Sequence, residues 1–344
     1  MRSAGRLHRA GPVLRFVAPK VLQALFVVWA TYTVTFLLIH ALPGDPVLAA
    51  LAVRAGDAAT TDPEVLDALR AQYGLDGSIL HQYVSHFLAL FRGDLGVSMA
   101  TGYDVSDMVA RALPKTVAVA ALALVLGFVG ALAFTIAAYL ARPQWLRGAI
   151  SQIPPLGIAI PAFLTGVVLI SVFAFQLGWF PASGADGFAS TVLPAITLSL
   201  PTGAIFYQVF SAAVFEAGEA GFVRTARAKG LSQPVVIGRH ILRNAVLPAI
   251  TIIGLQIGYL AGGTAVVETV FSRDGIGRIT VDAVLARDIN VVTGVVMVVA
   301  VIYAVTTMIV DLLYGVLDPR IRTRVAAKPR TRSHAATPAG GDDA

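Results

Sequence analysis

Five basic side chains gather in one polar stretch of an otherwise apolar chain. Residues 214–248 read VFEAGEAGFVRTARAKGLSQPVVIGRHILRNAVLP and hold Arg224, Arg227, Lys229, Arg239 and Arg243 among small residues. The run Thr225-Ala226-Arg227-Ala228-Lys229 favours a helix, and Gly230 ends it. Residues 221–230 then make about two turns, with the charges spread around the axis and Ala226 and Ala228 keeping parts of the surface thin. Pro234 permits a second turn over 235–242. These residue types make and break no bonds; a short basic helix between two apolar stretches is a surface offered to a soluble partner. A generic basic loop carries the same charge, so residue types alone leave both readings open.

Nothing else in the chain suggests bond chemistry. It has no cysteine, which removes disulfides, thiolate metal sites and thiol nucleophiles together. Serines, histidines and acids lie far apart, and His40, His81, His86 and His240 form no cluster. The phosphate-cradling pattern GxxxxGK(S/T) is absent, so nucleotide is not bound in that manner. Gln152, Gln208 and Gln256 are polar residues within apolar sequence. They suit the lining of a pathway and hydrogen bonds between helices equally well.

The elements that must position these residues follow from hydropathy. Over 344 residues only 13% are charged and mean hydropathy is +0.76, the composition of an integral membrane protein. The formal charge of +6 does not point to nucleic acid, because the basic residues alternate with hydrocarbon-length runs instead of sharing one solvated face. Arg2, Arg6, Arg9, Arg15 and Lys20 precede an apolar run over 21–42 that is too long for a signal-peptide core, so it reads as a first crossing. Charge-free intervals at 21–44, 116–138, 149–185, 187–215, 244–267 and 289–310 are each long enough to cross about 30 Å of hydrocarbon as helix. The expected fold is therefore an all-α integral membrane protein with six transmembrane helices. The third interval is overlong, and turns at Pro154-Pro155 and Gly178-Trp179-Phe180-Pro181 narrow its crossing to residues 156–177.

With the N-terminus in the cytoplasm, 18 Lys/Arg lie inside against 8 outside, and 14 Asp/Glu lie outside against 6 inside. That bias predicts cytoplasmic termini. Residues 45–115 become an external insertion with helices over 63–73 and 79–91, and turns at Leu42-Pro43-Gly44-Asp45-Pro46 and Gly93-Asp94-Leu95-Gly96. The external loop between crossings five and six holds Glu268, Arg273, Asp274, Gly275, Gly277, Arg278, Asp282, Arg287 and Asp288, with a short surface helix over 281–287. These segments either meet a soluble partner or merely cap the bundle. The tail after Pro319 reads as disordered, its arginines against anionic headgroups of the lipid bilayer.

The basic stretch resembles the signature loop of binding-protein-dependent ABC permeases. FVRTARAKGL (222–231) and RHILRNAVLP (239–248) are similar to the dipeptide/oligopeptide/nickel branch, as are LPGDP (42–46), YGLD (73–76), GDLG (93–96), LPKT (113–116), VVETVFSRDGIGR (266–278) and DLLYGVLDPRIR (311–322). The resemblance implies an ABC importer type-1 transmembrane domain over 114–317 with a coupling loop at 216–243. A first transmembrane helix at 15–44, an extracytoplasmic region at 45–113 and a basic tail at 318–344 complete the division. It implies a bacterial cell-membrane permease subunit for peptides. The expected partners are a second homologous permease, two cytoplasmic ABC ATPases that hold ATP and Mg, and an extracytoplasmic solute-binding protein. Carried onto this sequence, Arg224, Thr225, Ala226, Arg227, Ala228, Lys229 and Gly230 form the coupling helix. Gly221 departs from the family, which commonly has an acid there. Nickel, oligosaccharide or opine cargo fits the same machinery, whereas an ion-coupled secondary transporter would need a mid-membrane ionisable group.

Overall fold

A computed structural model describes residues 7–41, 44–55 and 62–317, and these are helical almost throughout. Five helices contain stretches long and apolar enough to cross a membrane: α1 (Leu7–Ala41), α5 (Val105–Leu140), α9 (Ala189–Glu219), α12 (Leu242–Val270) and α14 (Ile289–Leu317). The bundle is built around α9, whose most apolar stretch is 67% buried against 22% for α5 and for α14. On the α5 side, Gly127 and Gly203 meet backbone to backbone; a Cβ on Gly127 would stand 3.0 Å from the Gly203 nitrogen. Close approach of this kind replaces the hydrophobic driving force that helices lack among lipid tails. The contact continues through Val119, Ala123, Leu193, Leu198 and Leu260.

The third crossing is not the single helix expected over 156–177. Helices α6 (Gln144–Gln152) and α7 (Leu156–Ala159) run into a 100° bend ahead of α8 (Ala162–Leu169), which continues as wider π turns over Ile170–Gln176. The cause is local. Pro161 forces Ile160 out of the helical region, to φ −92° and ψ 123°. Gly157 then lets the bent segment press on α9, where a Cβ would meet the Leu200 carbonyl oxygen. What remains beyond the bend is about 22 Å of helix, short of the about 30 Å a straight crossing needs.

The bundle has two distinct ends. One, the connector end, carries residues 214–248. The other, the cap end, carries α2 (Pro46–Ala55), α3 (Pro63–Gln72), α4 (Ile79–Phe91) and α13 (Ile276–Leu285). Sequence reasoning anticipated α3 and α4 but read Asp45-Pro46 as a turn. Asp45 instead starts α2, its Oδ1 accepting from the Val47 N–H at 2.8 Å with Pro46 in the first turn. The surface helix expected over 281–287 is α13, which begins five residues earlier. The basic tail expected over 318–344 lies outside the described residues.

A buried polar clamp closes the cap end. Glu268, read from sequence as a loop residue, sits fully buried in the last turn of α12. One carboxylate oxygen accepts from Thr116 Oγ1 of α5 at 2.6 Å, and the other from the Gly277 and Arg278 N–H groups at 2.8 and 3.2 Å. Thr116 Oγ1 in turn accepts from the Ile276 N–H at 2.8 Å. One carboxylate thus ties α5, α12 and the start of α13 together. Only glycine fits at 277, because a Cβ would lie 2.4 Å from the Ala265 Cα. Beside it, Arg273 donates to the Ser190 carbonyl at 2.6 Å and the Gly184 carbonyl at 3.1 Å, holding the α12–α13 turn to the start of α9. Burial lowers the pKa of this guanidinium, and the Glu268 carboxylate opposes the fall.

Removing the hydroxyl of Thr116 at constant shape isolates the clamp's contribution. Thr116→Val leaves the buried Ile276 N–H without an acceptor, a loss of about 1–3 kcal/mol. The variant should melt several degrees lower in detergent, and Glu268→Ala, which orphans three donors, lower still. An unchanged melting temperature for Glu268→Ala would show that the clamp contributes nothing.

Candidate functional site

The basic stretch folds into α10 (Gly221–Ala228), one turn α11 (Gln233–Val235) and a π segment Val236–Ile241 that runs straight into α12. The separate turn expected over 235–242 is therefore the first part of the next long helix. α9 breaks at Ala220, which turns extended at ψ 149° and serves as N-cap of α10 with no side-chain hydrogen bond. Gly221 adds no acidic side chain there, so the first turn of α10 is closed by backbone bonds, the Val223 N–H donating to the Ala220 carbonyl at 3.0 Å.

The packing of α10 is apolar and one-sided. Val223 is 0% and Ala226 5% exposed. They rest on Val214 of α9, Val236, Ile237 and Ile241 of the π segment, and Ala245 of α12. The i, i+3 spacing of the two inward residues leaves Phe222, Arg224, Thr225, Arg227, Ala228 and Lys229 facing out. The helix ends in a Schellman turn: the Gly230 N–H donates to the Arg227 carbonyl at 2.9 Å and the Leu231 N–H to the Ala226 carbonyl at 3.3 Å. Gly230 adopts φ +79°, which explains the glycine directly.

One polar contact pins α10 to a third long helix. Arg227 Nη2 donates to the hydroxyl of Tyr139, in the last turn of α5, at 3.0 Å. The Tyr139 ring lies over Gly218 of α9, where a Cβ would meet the hydroxyl oxygen at 2.7 Å. Arg224 and Lys229 project from the same outward surface. The result is an exposed basic crossbar resting on α9, α12 and α5. It can press or be pressed; it has no nucleophile, base or oxyanion donor set. Among the described residues, no group of three or more His, Asp or Glu is placed to hold a metal.

Comparison with known proteins gives the crossbar its context. Residues 131–323 match the model of the binding-protein-dependent transport system inner membrane component, and residues 13–120 match its N-terminal companion. The chain belongs to that family. The permease is 34% identical over 310 residues to the glutathione transport system permease protein GsiC of Escherichia coli O6:H1, covering 90% of this chain and 99% of the relative. GsiC of Escherichia coli strain K12 and of Shigella dysenteriae serotype 1 match with the same identity and coverage. Two crystal forms of the inward-facing MetNI methionine ABC transporter share its fold, with TM-scores of 0.54 and 0.53 at 17% and 18% identity. Each alignment covers 61% of this chain and 96% of the other. The permease is thus a multi-span inner-membrane component of an ABC transporter, of the peptide/nickel branch.

The three glutamines fare differently. Gln256 of α12 is 2% exposed and donates to the Thr202 carbonyl of α9 at 3.2 Å, a hydrogen bond between helices. Gln208 is exposed on α9, and Gln152 is exposed at the last position of α6. Sequence reasoning missed Tyr139, which has no local signal, and the Glu268 clamp. An acid just ahead of Gly275 and Gly277 was the available hint, since paired glycines there mark a close backbone approach.

The Tyr139 contact can be read out locally. Tyr139→Phe should speed amide hydrogen exchange several-fold across residues 221–229 while leaving the global melting temperature within about 1–2 °C, because one half-exposed hydrogen bond contributes about 0.5–1.5 kcal/mol at most. Unchanged exchange would mean that the apolar floor alone holds α10.

Proposed function

We propose that this chain forms half of the translocation pathway of an ATP-driven importer, with its connector end in the cytoplasm and α10 seated in a groove of a partner ATPase. The observation that carries the reading is the two-sidedness of α10: Val223 and Ala226 are locked into the bundle while Arg224, Thr225, Arg227, Ala228 and Lys229 are offered to a partner. A partner that moves α10 must move α9 and α12, helices of about 46 and 44 Å that reach the cap end. The excess of Lys/Arg at the connector end supports the cytoplasmic assignment.

ATP and Mg are held by two cytoplasmic ABC ATPases. Their closure on ATP draws together the coupling helices of this chain and of a second, homologous permease. The pair of bundles then opens toward the cap side, where a solute-binding protein delivers its cargo, and hydrolysis resets them. This chain is no enzyme; Arg224 to Gly230 transmit force.

The cargo is a small peptide, a reading supported by the glutathione permeases at 34% identity. Nickel, oligosaccharide or opine import would use the same parts. Gln208 is the pathway-lining candidate best placed, since an exposed amide on a membrane helix is costly against lipid and fits a wet lumen. Gln256 is already engaged by Thr202, and Gln152 lies at the end of α6, ahead of the bend at Pro161.

Uptake of labelled glutathione, dipeptides and oligopeptides by cells with and without the chain tests the assignment; accumulation that does not depend on the chain for any of them overturns the peptide reading. Arg224→Glu with Arg227→Glu should abolish copurification with the ATPases, and retention at both low and high salt would reduce these charges to topology signals. Gly230→Val, strained by its positive φ, should leave membrane insertion intact while lowering uptake per ATP hydrolysed by about tenfold or more. Normal coupling in that variant would count against α10 as the point of force transfer.

A further inference from the structure

The cap is not uniformly a water-facing domain. Helix α3 carries Glu64, Asp67 and Arg70, whereas the 13 residues of α4, ILHQYVSHFLALF, hold no Asp, Glu, Lys or Arg. One face of α4 is committed to the bundle. The Tyr83 carbonyl accepts from Tyr32 Oη at 2.7 Å, Tyr83 Oη pairs with Thr33 Oγ1 at 2.8 Å, and Gln82 Oε1 lies 3.2 Å from His40 Nε2. Phe87 and Leu90 complete a cluster with Tyr32, Phe36 and Met297.

On the flank next to that face, an apolar row stands open among the described residues. Leu80, Val84, Leu88 and Phe91, at i, i+4, i+8 and i+11, are 71%, 45%, 51% and 70% exposed. Beside this apolar row runs a polar one, His81, Ser85 and Arg92, also exposed. The same pattern continues on α1, where Val34, Leu37 and Leu38 are exposed in an apolar membrane span. Tyr32, which α4 contacts, lies nine residues before the end of α1, about 14 Å along the helix axis. α4 is therefore alongside the span, not above it, and at about 20 Å it is too short to cross.

We infer that α4 is an interfacial helix on the cap side, with Leu80, Val84, Leu88 and Phe91 against lipid acyl chains and His81, Ser85 and Arg92 among the headgroups. The inference rests on the membrane-embedded reading of the chain and on nothing about its cargo. Lipid is the occupant because the apolar row is continuous with the surface of α1, and because the polar row flanking it gives α4 the two-sided character of a membrane-surface helix. The water-facing part of the cap that remains for a binding protein is then α2, α3 and the α13 turn.

The lack of native cysteine makes the test direct. Single variants Val84→Cys, Leu88→Cys, Glu64→Cys on α3 and Leu37→Cys on α1 are made in the full chain, purified with its partners and reconstituted in bilayers. A membrane-impermeant maleimide should label positions 84 and 88 about tenfold more slowly than position 64, and a bimane attached there should be quenched by brominated acyl chains as at position 37. Labelling within about twofold of Glu64→Cys would place α4 in water and overturn the inference. Slow labelling without bromolipid quenching would mean that a protein, such as a second permease, covers the row, which also overturns it. If Leu37→Cys is not quenched either, the embedded reading of α1 fails with it; quenching at 37 alone sinks only the placement of α4.

Discussion

The Glu268 carboxylate fixes the geometry on which the rest of the bundle depends. Among lipid tails, apolar helices have no hydrophobic reason to cluster, so close packing and polar closure must hold them together. Here the closure sits at one end: Glu268 receives donors from α5 and from the start of α13, and Arg273 reaches α9. Hydrogen bonds to a buried carboxylate are directional and strong, and leaving any donor unpaired is expensive. The cap end of α12 therefore has one position relative to α5 and α9.

The connector end is joined by different physics. Val223 and Ala226 lie on an apolar floor of Val214, Val236, Ile237, Ile241 and Ala245, with the Arg227–Tyr139 bond as the added polar tie. Apolar contact is non-directional and tolerates small slides of one surface over another, which directional bonds do not. A bundle fixed by polar bonds at one end and by packing at the other yields most easily at the packed end. On the proposed function, that is the end at which force arrives. The π segment at 236–241 and the π turns at 170–176 add places where helical hydrogen bonding is already relaxed.

Much of this was legible in the sequence, and the losses have physical causes. Charge-free intervals located the long helices because hydrocarbon excludes charge regardless of tertiary context. Gly230 was legible as a stop because a Schellman turn needs positive φ. The third crossing was located but its bend was not, because Pro161 sits inside an uninterrupted apolar run and hydropathy does not register a bend. α2 was missed because Asp45-Pro46 serves equally as a turn or as a cap followed by a first-turn proline. Tyr139 and Thr116 were invisible for a different reason: each acts through a partner 88 or 152 residues away. The split of α10 into Val223 and Ala226 inside and its basic residues outside likewise depends on where α9 and α12 lie.

Burial is distributed unevenly, in keeping with the proposal that this chain forms half of a pathway. Among the described spans only α9 is mostly enclosed, whereas α12, though central in the sequence motifs, exposes Leu255, Tyr259 and Val266. Lipid could cover those three side chains. It would not suit Gln208, exposed on the neighbouring α9, because an amide in hydrocarbon without a partner costs several kcal/mol on a scale of about 4–8 for full transfer. On the proposed function, a second bundle meeting this one across a wet seam would remove that cost, while the Gln256–Thr202 bond holds α9 and α12 together. Gln256 thus takes the helix-tying task that the sequence offered to both, and on the proposed function Gln208 is left to face what passes.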